Sequence, residues 1–160
     1  IALAHGFCIG GATSLVSACD IRLATKDAKF SIGETKLGLV ADVGVIQRMP
    51  KIVSSGDMNE LALTGRIFDG EHAERIRFVS KAYDNSDELF EAGEKLANEI
   101  SSNSKRIVQA TKQALEKSSN LTIDQGLEYA KLWSTSFLVS EDLREGVMAF
   151  LEKRDPKFNE

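Results

Sequence analysis

The chain has 160 residues, a formal net charge of −4 and 42% hydrophobic residues, which suits one soluble globular domain with a real core. The acidic balance and the scattered Lys and Arg residues argue against a nucleic-acid groove, and no apolar run approaches the ~20 residues a membrane span requires. Cys8 and Cys19 are too few for a disulfide framework and form no C-x-x-C pair, so they read as reduced, buried thiols.

The first residues, "IALAHGF", begin in mid-strand with no initiator Met, charged leader or cap. This predicts a fragment whose upstream part, with any targeting peptide, is missing. Residues 1–5 read as a short buried strand ending at Gly6. A glycine pair follows, and the small and apolar residues after it predict a helix from Gly11 to Cys19. "CDIRLAT" (19–25) and "KFSI" (29–32) read as strands around the turn "KDA". Residues 33–44, punctuated by Gly33, Gly38 and Gly44, read as irregular, with a short helix from Gly44 to Val53.

Helices dominate from there. One is predicted over 55–65, capped at Ser55 and closed by Gly65, and another over 69–76. "RFVSKAY" (77–83) reads as a strand. Long amphipathic segments follow at 86–102, 103–117, 122–138 and 140–153. Strands alternating with helices early and helices alone late give an α/β core with a helical C-terminal region. No internal repeat or low-complexity tract is visible.

Two features carry chemistry. A strand, Gly10-Gly11 and a helix start aim backbone N–H groups at one point. The fuller phosphate-loop patterns are absent; a developing oxyanion, which needs only one or two fixed donors, fits better. The alternative is that the glycines only let the helix pack closely on the strand. The second feature is a pair of acids, Glu34 and Asp42, in the glycine-rich, otherwise apolar stretch "GETKLGLVADVG" (33–44). A carboxylate partly withdrawn from water holds or accepts a proton near neutrality. Against this stand a salt bridge from Glu34 to Arg48 and a helix-capping role for Asp42. His5 and His72 have no partners at metal-ligand spacing, so no metal site is expected and both read as surface or packing residues.

The joined motifs "GFCIGG", "ACDIRLAT", "DAKFSIGE", "GLVADVG" and "QRMPK", with "ELALTGRIFDGEHAERIRFVSK" and the closing "EGVMAFLEKRDPKF", resemble the crotonase (enoyl-CoA hydratase/isomerase) superfamily over the whole chain. The resemblance implies a spiral of β-β-α units, of which residues 1–84 would be the C-terminal part, followed by a helical region at 85–160 that caps an acyl pocket and forms oligomers. It implies an acyl-CoA thioester as substrate and no separate cofactor, because coenzyme A enters with the substrate. Two backbone N–H groups hold the thioester oxygen in this family. Gly11 matches one donor position, with Gly10 beside it; the other comes from an upstream segment. Position 14 holds Glu in the hydratases and Asp in the dienoyl-CoA isomerases. Here it is Ser14, which cannot act as a general base, so it is expected only to touch substrate. Glu34 matches the second family acid. Asp42 lies where the dienoyl-CoA isomerase branch has a further acid and the hydratases generally have glycine.

Adding water takes two carboxylates around that water, whereas one well-placed Glu can move a proton between carbons. The expectation is therefore an isomerase similar to the Δ3,5-Δ2,4-dienoyl-CoA isomerases of fatty acid β-oxidation, with Glu34 and Asp42 as catalytic acids. A hydratase, a Δ3-Δ2-enoyl-CoA isomerase and a decayed acyl-CoA-binding homologue remain as alternatives. The apolar residues Trp133, Phe137, Leu138, Met148 and Phe150 are read as core or subunit interface, consistent with a homotrimer or a dimer of trimers. Lys153 and Arg154 mark a helix end, either solvated or set against CoA phosphates. The expected compartment is cytoplasmic if the source is bacterial; a mitochondrial or peroxisomal targeting signal would belong to the upstream part and is not legible in these residues.

Overall fold

In the computed structural model, which describes residues 1–158, successive turns of chain lay their strands side by side. Strands β1 (Ala2–Ala4), β3 (Arg22–Thr25) and β6 (Lys81–Tyr83) form one parallel sheet with β3 in the middle. In the other sheet β4 (Lys29–Ser31) pairs in parallel with β2 (Phe7–Ile9) and antiparallel with the two-residue β5 (Phe68–Asp69). Each turn contributes one strand to each sheet, and helix α1 (Gly11–Ser17) carries the chain from β2 to β3. This is the β-β-α spiral the sequence leads one to expect. It repeats in geometry without repeating in sequence, because each turn needs only small or apolar residues at its inward positions.

Contacts divide the chain into two compact units, Ile1–Lys95 and Leu96–Glu160, with the division inside helix α5 (Ser86–Ser101). The first unit owns the sheets. Its centre is an aromatic trio in which Phe30 lies 5.5 Å, centroid to centroid, from both Phe68 and Phe78. All three rings are buried, and such pairs each contribute about 0.5–1.5 kcal/mol beyond burial itself. Ala24, Ala28 and Ala73 are fully buried around them, their small side chains letting strands and helices approach closely. Helix α3 (Ser55–Thr64) starts at the expected residue, but its cap lies one residue earlier than the expected Ser55. Ser54 is its cap, because a capping hydroxyl must reach the N–H three residues on, here Asp57 at 3.1 Å. Helix α4 (Gly70–Arg75) is capped by Asp69, which accepts from the His72 N–H at 2.9 Å.

Several expectations are corrected. The strand expected over 77–83 covers only Lys81–Tyr83. Arg77 is turned into the left-handed region at φ 66°, and Phe78 and Val79 plug the core rather than a ladder. The helix expected from Gly44 to Val53 is α2 (Val45–Arg48) followed by a 3-10 turn, Met49–Lys51. Helix α1 ends at Ser17, two residues short of Cys19. Strands β2 and β5 were not expected at all, being too short to show alternation.

The second unit holds helices α6 (Lys105–Ser118), α7 (Ile123–Phe137) and α8 (Glu141–Glu152), all close to the predicted segments. Ser104 caps α6 and also donates to Asp142 on α8 at 2.6 Å. A groove of about 840 Å³ runs among these helices, lined by Ile107, Trp133, Phe137, Val147 and Phe150 among others. Much apolar surface here is open: Leu138, Val139 and Phe150 are 64%, 95% and 82% exposed. Among the described residues no helix is long and apolar enough to cross a membrane.

Candidate active site

The geometry begins at Gly10, where β2 ends. Its N–H donates to the Ser31 carbonyl at 2.8 Å, continuing the ladder for one more residue. Its torsions are φ 58° and ψ −118°, which a side chain would resist. That twist turns the chain straight into α1, whose first N–H, on Gly11, has no intrahelical acceptor. A Cβ built on Gly11 meets nothing within 4 Å, so the helix begins at open space. Thr13 fixes it there. Fully buried, its hydroxyl donates to the Cys8 carbonyl and lies 3.0 Å from the Ser31 carbonyl, tying α1 to β2 and β4 together.

The parallel register of Ile9 with Ser31 then brings in Glu34. The chain leaves β4 through a 3-10 turn, Gly33–Leu37, held to α3 and the residue after it by two side chains. Ser31 Oγ donates to the Gly65 carbonyl at 3.0 Å, and Thr35 Oγ1 donates to the Ala62 carbonyl at 2.7 Å. Glu34 Oε1 lies 3.4 Å from where a Gly10 Cβ would stand. The other oxygen, Oε2, is buried with no hydrogen-bond partner. The carboxylate therefore rests against the glycine before the helix start, with a dry lone pair able to accept a proton.

The salt bridge considered for Glu34 does not form, because Arg48 is engaged elsewhere. Its Nη2 donates to Val43 and Ser14 carbonyls at 2.7 and 3.2 Å, and its Nε donates to Ser17 Oγ at 3.3 Å.

The structure thus brings Gly10, Gly11 and Glu34 together. Ser14, one turn into α1, is fully buried, and its hydroxyl has no partner. The helix-capping alternative for Asp42 falls away, since the N-cap of α2 is Gly44 without any side-chain hydrogen bond. The expected withdrawal of Asp42 from water is corrected: Leu39 and Val40 beside it are 60% and 79% exposed, and Asp42 itself is exposed. An apolar segment excludes water only when something packs on it.

Sequence reasoning missed Thr13 altogether and saw Arg48 only as a possible partner of Glu34, not in the role the structure gives it. A β-branched hydroxyl in a run of small helical residues is a weak signal for a backbone anchor. A lone Arg four residues after a glycine is a weaker one. Cys8 fits the inert reading, since burial pushes its thiol above the ordinary value despite the hydrogen bond from Thr13. Both cysteines are free. His72 Nδ1 lies 2.7 Å from Arg75 Nη2 and His5 packs on Phe90 with centroids 5.6 Å apart, so both histidines are occupied in packing.

A strand, a glycine pair, an open helix start and a carboxylate from the next turn of the spiral define a class. A family model described as enoyl-CoA hydratase/isomerase matches residues 1–160, and the chain belongs to that family. It is 51% identical over 158 residues to a mitochondrial Δ(3,5)-Δ(2,4)-dienoyl-CoA isomerase of Dictyostelium discoideum, covering 99% of this chain and 54% of that protein. A peroxisomal protein of the same name from Arabidopsis thaliana is 43% identical, covering 99% of this chain and 57% of that one. Among solved structures, an enoyl-CoA hydratase from Bacillus anthracis superposes with a TM-score of 0.92 at 31% identity, covering 96% of this chain and 59% of that one. The chain spans about half the length of the curated relatives it matches.

Proposed function

We propose that the protein to which this chain belongs shifts double bonds in acyl-CoA thioesters, converting 3,5-dienoyl to 2,4-dienoyl thioesters in fatty acid β-oxidation. The observation that carries the reading is the Glu34 carboxylate, with one oxygen buried and unpaired, set against Gly10 beside Gly11, the exposed first residue of α1. The names of the relatives at 51% and 43% identity point the same way.

In this mechanism the thioester oxygen accepts a hydrogen bond from the Gly11 N–H. Glu34 removes a proton from the α carbon; the C–H electron pair enters the conjugated system and negative charge gathers on the thioester oxygen. Fixed N–H donors stabilise that charge most in a water-poor site. Returning a proton to the far carbon of the former diene moves both double bonds towards the thioester. Asp42 is the acid proposed for that distal step, since one carboxylate at the α carbon cannot easily reach both ends. Ser14 in place of a second helix carboxylate disfavours hydration, which needs a water activated between two acids. The open apolar faces of α6, α7 and α8 suit a homo-oligomer, a trimer or a dimer of trimers.

The test is turnover of a 3,5-dienoyl thioester by the full-length protein, followed through the absorbance of the conjugated product. Asp42→Asn is expected to cost ~10²-fold or more on this substrate, the range for a lost general acid or base, and far less on a 3-enoyl thioester. Equal losses on both substrates favour a simple enoyl isomerase. A protein that binds CoA esters without ever shifting the spectrum is a binder only.

A further inference from the structure

Among the described residues no side-chain hydrogen bond or ion pair orients the exposed Asp42, yet the loop behind it is held. Arg48, the last residue of α2, folds back over that helix's own start. Its Nη2 donates to the carbonyl of Val43, the residue after Asp42, at 2.7 Å, and to the Ser14 carbonyl at 3.2 Å; its Nε donates to Ser17 Oγ at 3.3 Å. One guanidinium therefore joins the acid-bearing loop to α1, the helix that begins at Gly11. Gly44 makes room for it. A Cβ there would stand 2.5 Å from Arg48 Nη1 and 2.7 Å from Cζ and Nη2, and Gly44 sits at φ 97°, where side chains are disfavoured. A planar fork with several fixed donors can reach two carbonyls and a hydroxyl at once; a lysine ammonium on a flexible stem cannot hold all three in that geometry.

We propose that Arg48 is a positioning residue, a clamp that sets the Asp42 loop relative to the helix start at Gly11, with Gly44 as the gap that admits it. The functional half of this inference rests on the reading of Asp42 as a proton carrier.

The experiment uses the full-length protein with Arg48→Lys, Arg48→Met, Gly44→Ala, Asp42→Asn and the Asp42→Asn/Arg48→Lys double variant. The readouts are kcat and KM on 3,5-dienoyl and 3-enoyl thioesters, and amide hydrogen exchange over residues 39–44. Arg48→Lys is expected to lower kcat on the dienoyl substrate by ~10-fold or more, towards the ~10²-fold that a misplacement of about an ångström can cost, with KM within about 3-fold. The 3-enoyl substrate should lose less, and exchange over 39–44 should quicken. Gly44→Ala, whose methyl displaces the guanidinium while leaving Arg48 in place, should give the same pattern. In the Asp42→Asn background, Arg48→Lys should add little further loss, because both changes act through one group. Unchanged exchange over 39–44 in all three clamp variants overturns the clamp outright. Quickened exchange with equal losses on both substrates, adding to those of Asp42→Asn, overturns its positioning role. If Asp42→Asn alone shows no substrate preference, the proposed function of Asp42 fails, and exchange over 39–44 still decides whether Arg48 holds the loop.

Discussion

Replacing Glu34 with Gln keeps the shape of the side chain and removes its basicity. The carboxylate stands 3.4 Å from the Gly10 Cβ position with Oε2 buried and unpaired, and Arg48 is committed to Ser14, Ser17 and Val43. Two consequences follow with opposite signs. Activity on acyl-CoA thioesters should fall ~10²- to 10⁴-fold, the usual contribution of a positioned general base, or about 2.7–5.5 kcal/mol of barrier. Stability should hold or rise. A buried acceptor without a donor costs about 1–3 kcal/mol, more when charged, and the neutral amide removes the charge part of that cost. Were Glu34 instead half of a buried ion pair, removing its charge would destabilise by about 3–5 kcal/mol. The assay pairs steady-state kinetics with urea unfolding of the full-length protein at fixed concentration. A variant that loses activity only in proportion to lost stability, or keeps activity within 3-fold, would refute the assignment of Glu34 as the base.

Three further outcomes can be measured. Ser14→Ala should leave stability within about 1 kcal/mol of wild type, on the stabilising side, because the buried hydroxyl it deletes has no partner; a loss beyond 2 kcal/mol in urea unfolding would mean a hidden partner. Arg77→Gly should stabilise by about 1 kcal/mol, since Arg77 is exposed and held at φ 66°, where glycine has no Cβ penalty; thermal unfolding checks it. Glu145 accepts from Arg154 at 2.6 and 3.0 Å and from the Lys157 N–H at 2.7 Å, and the Arg154 hydrogen bonds above all hold its carboxyl down at about 2 against an ordinary 4.5. A depressed carboxyl contributes stability that is present above its unfolded value and is lost as pH falls through the folded one. The Glu145 carboxyl carbon should therefore titrate by NMR near 2, and a midpoint near 4.5 would show that the clasp between α8 and the following residues is open in solution.

What the sequence determined by itself was whatever local chemistry specifies. Apolar spacing located α5 to α8 to within three residues at either end, and Gly65 closed α3 as predicted, at φ 58°. The motifs around Gly10-Gly11 and Glu34 carried the family, because a helix start at a glycine pair and an acid in a glycine-broken loop are legible one residue at a time. Other features belong to pairs of segments, and only the tertiary structure decided them. Strands β2 and β5 exist because β4 offers them a ladder, not because three or two residues prefer extended backbone. Glu34 meets Gly10 because the register of Ile9 with Ser31 puts the two chain turns level. Asp42 stays in solvent because Leu39 and Val40 beside it are themselves largely exposed. Besides the Ser17 hydroxyl, Arg48 holds the carbonyls of Val43 and Ser14, groups that every residue type carries alike, so no reading of side chains along the chain could single those two out.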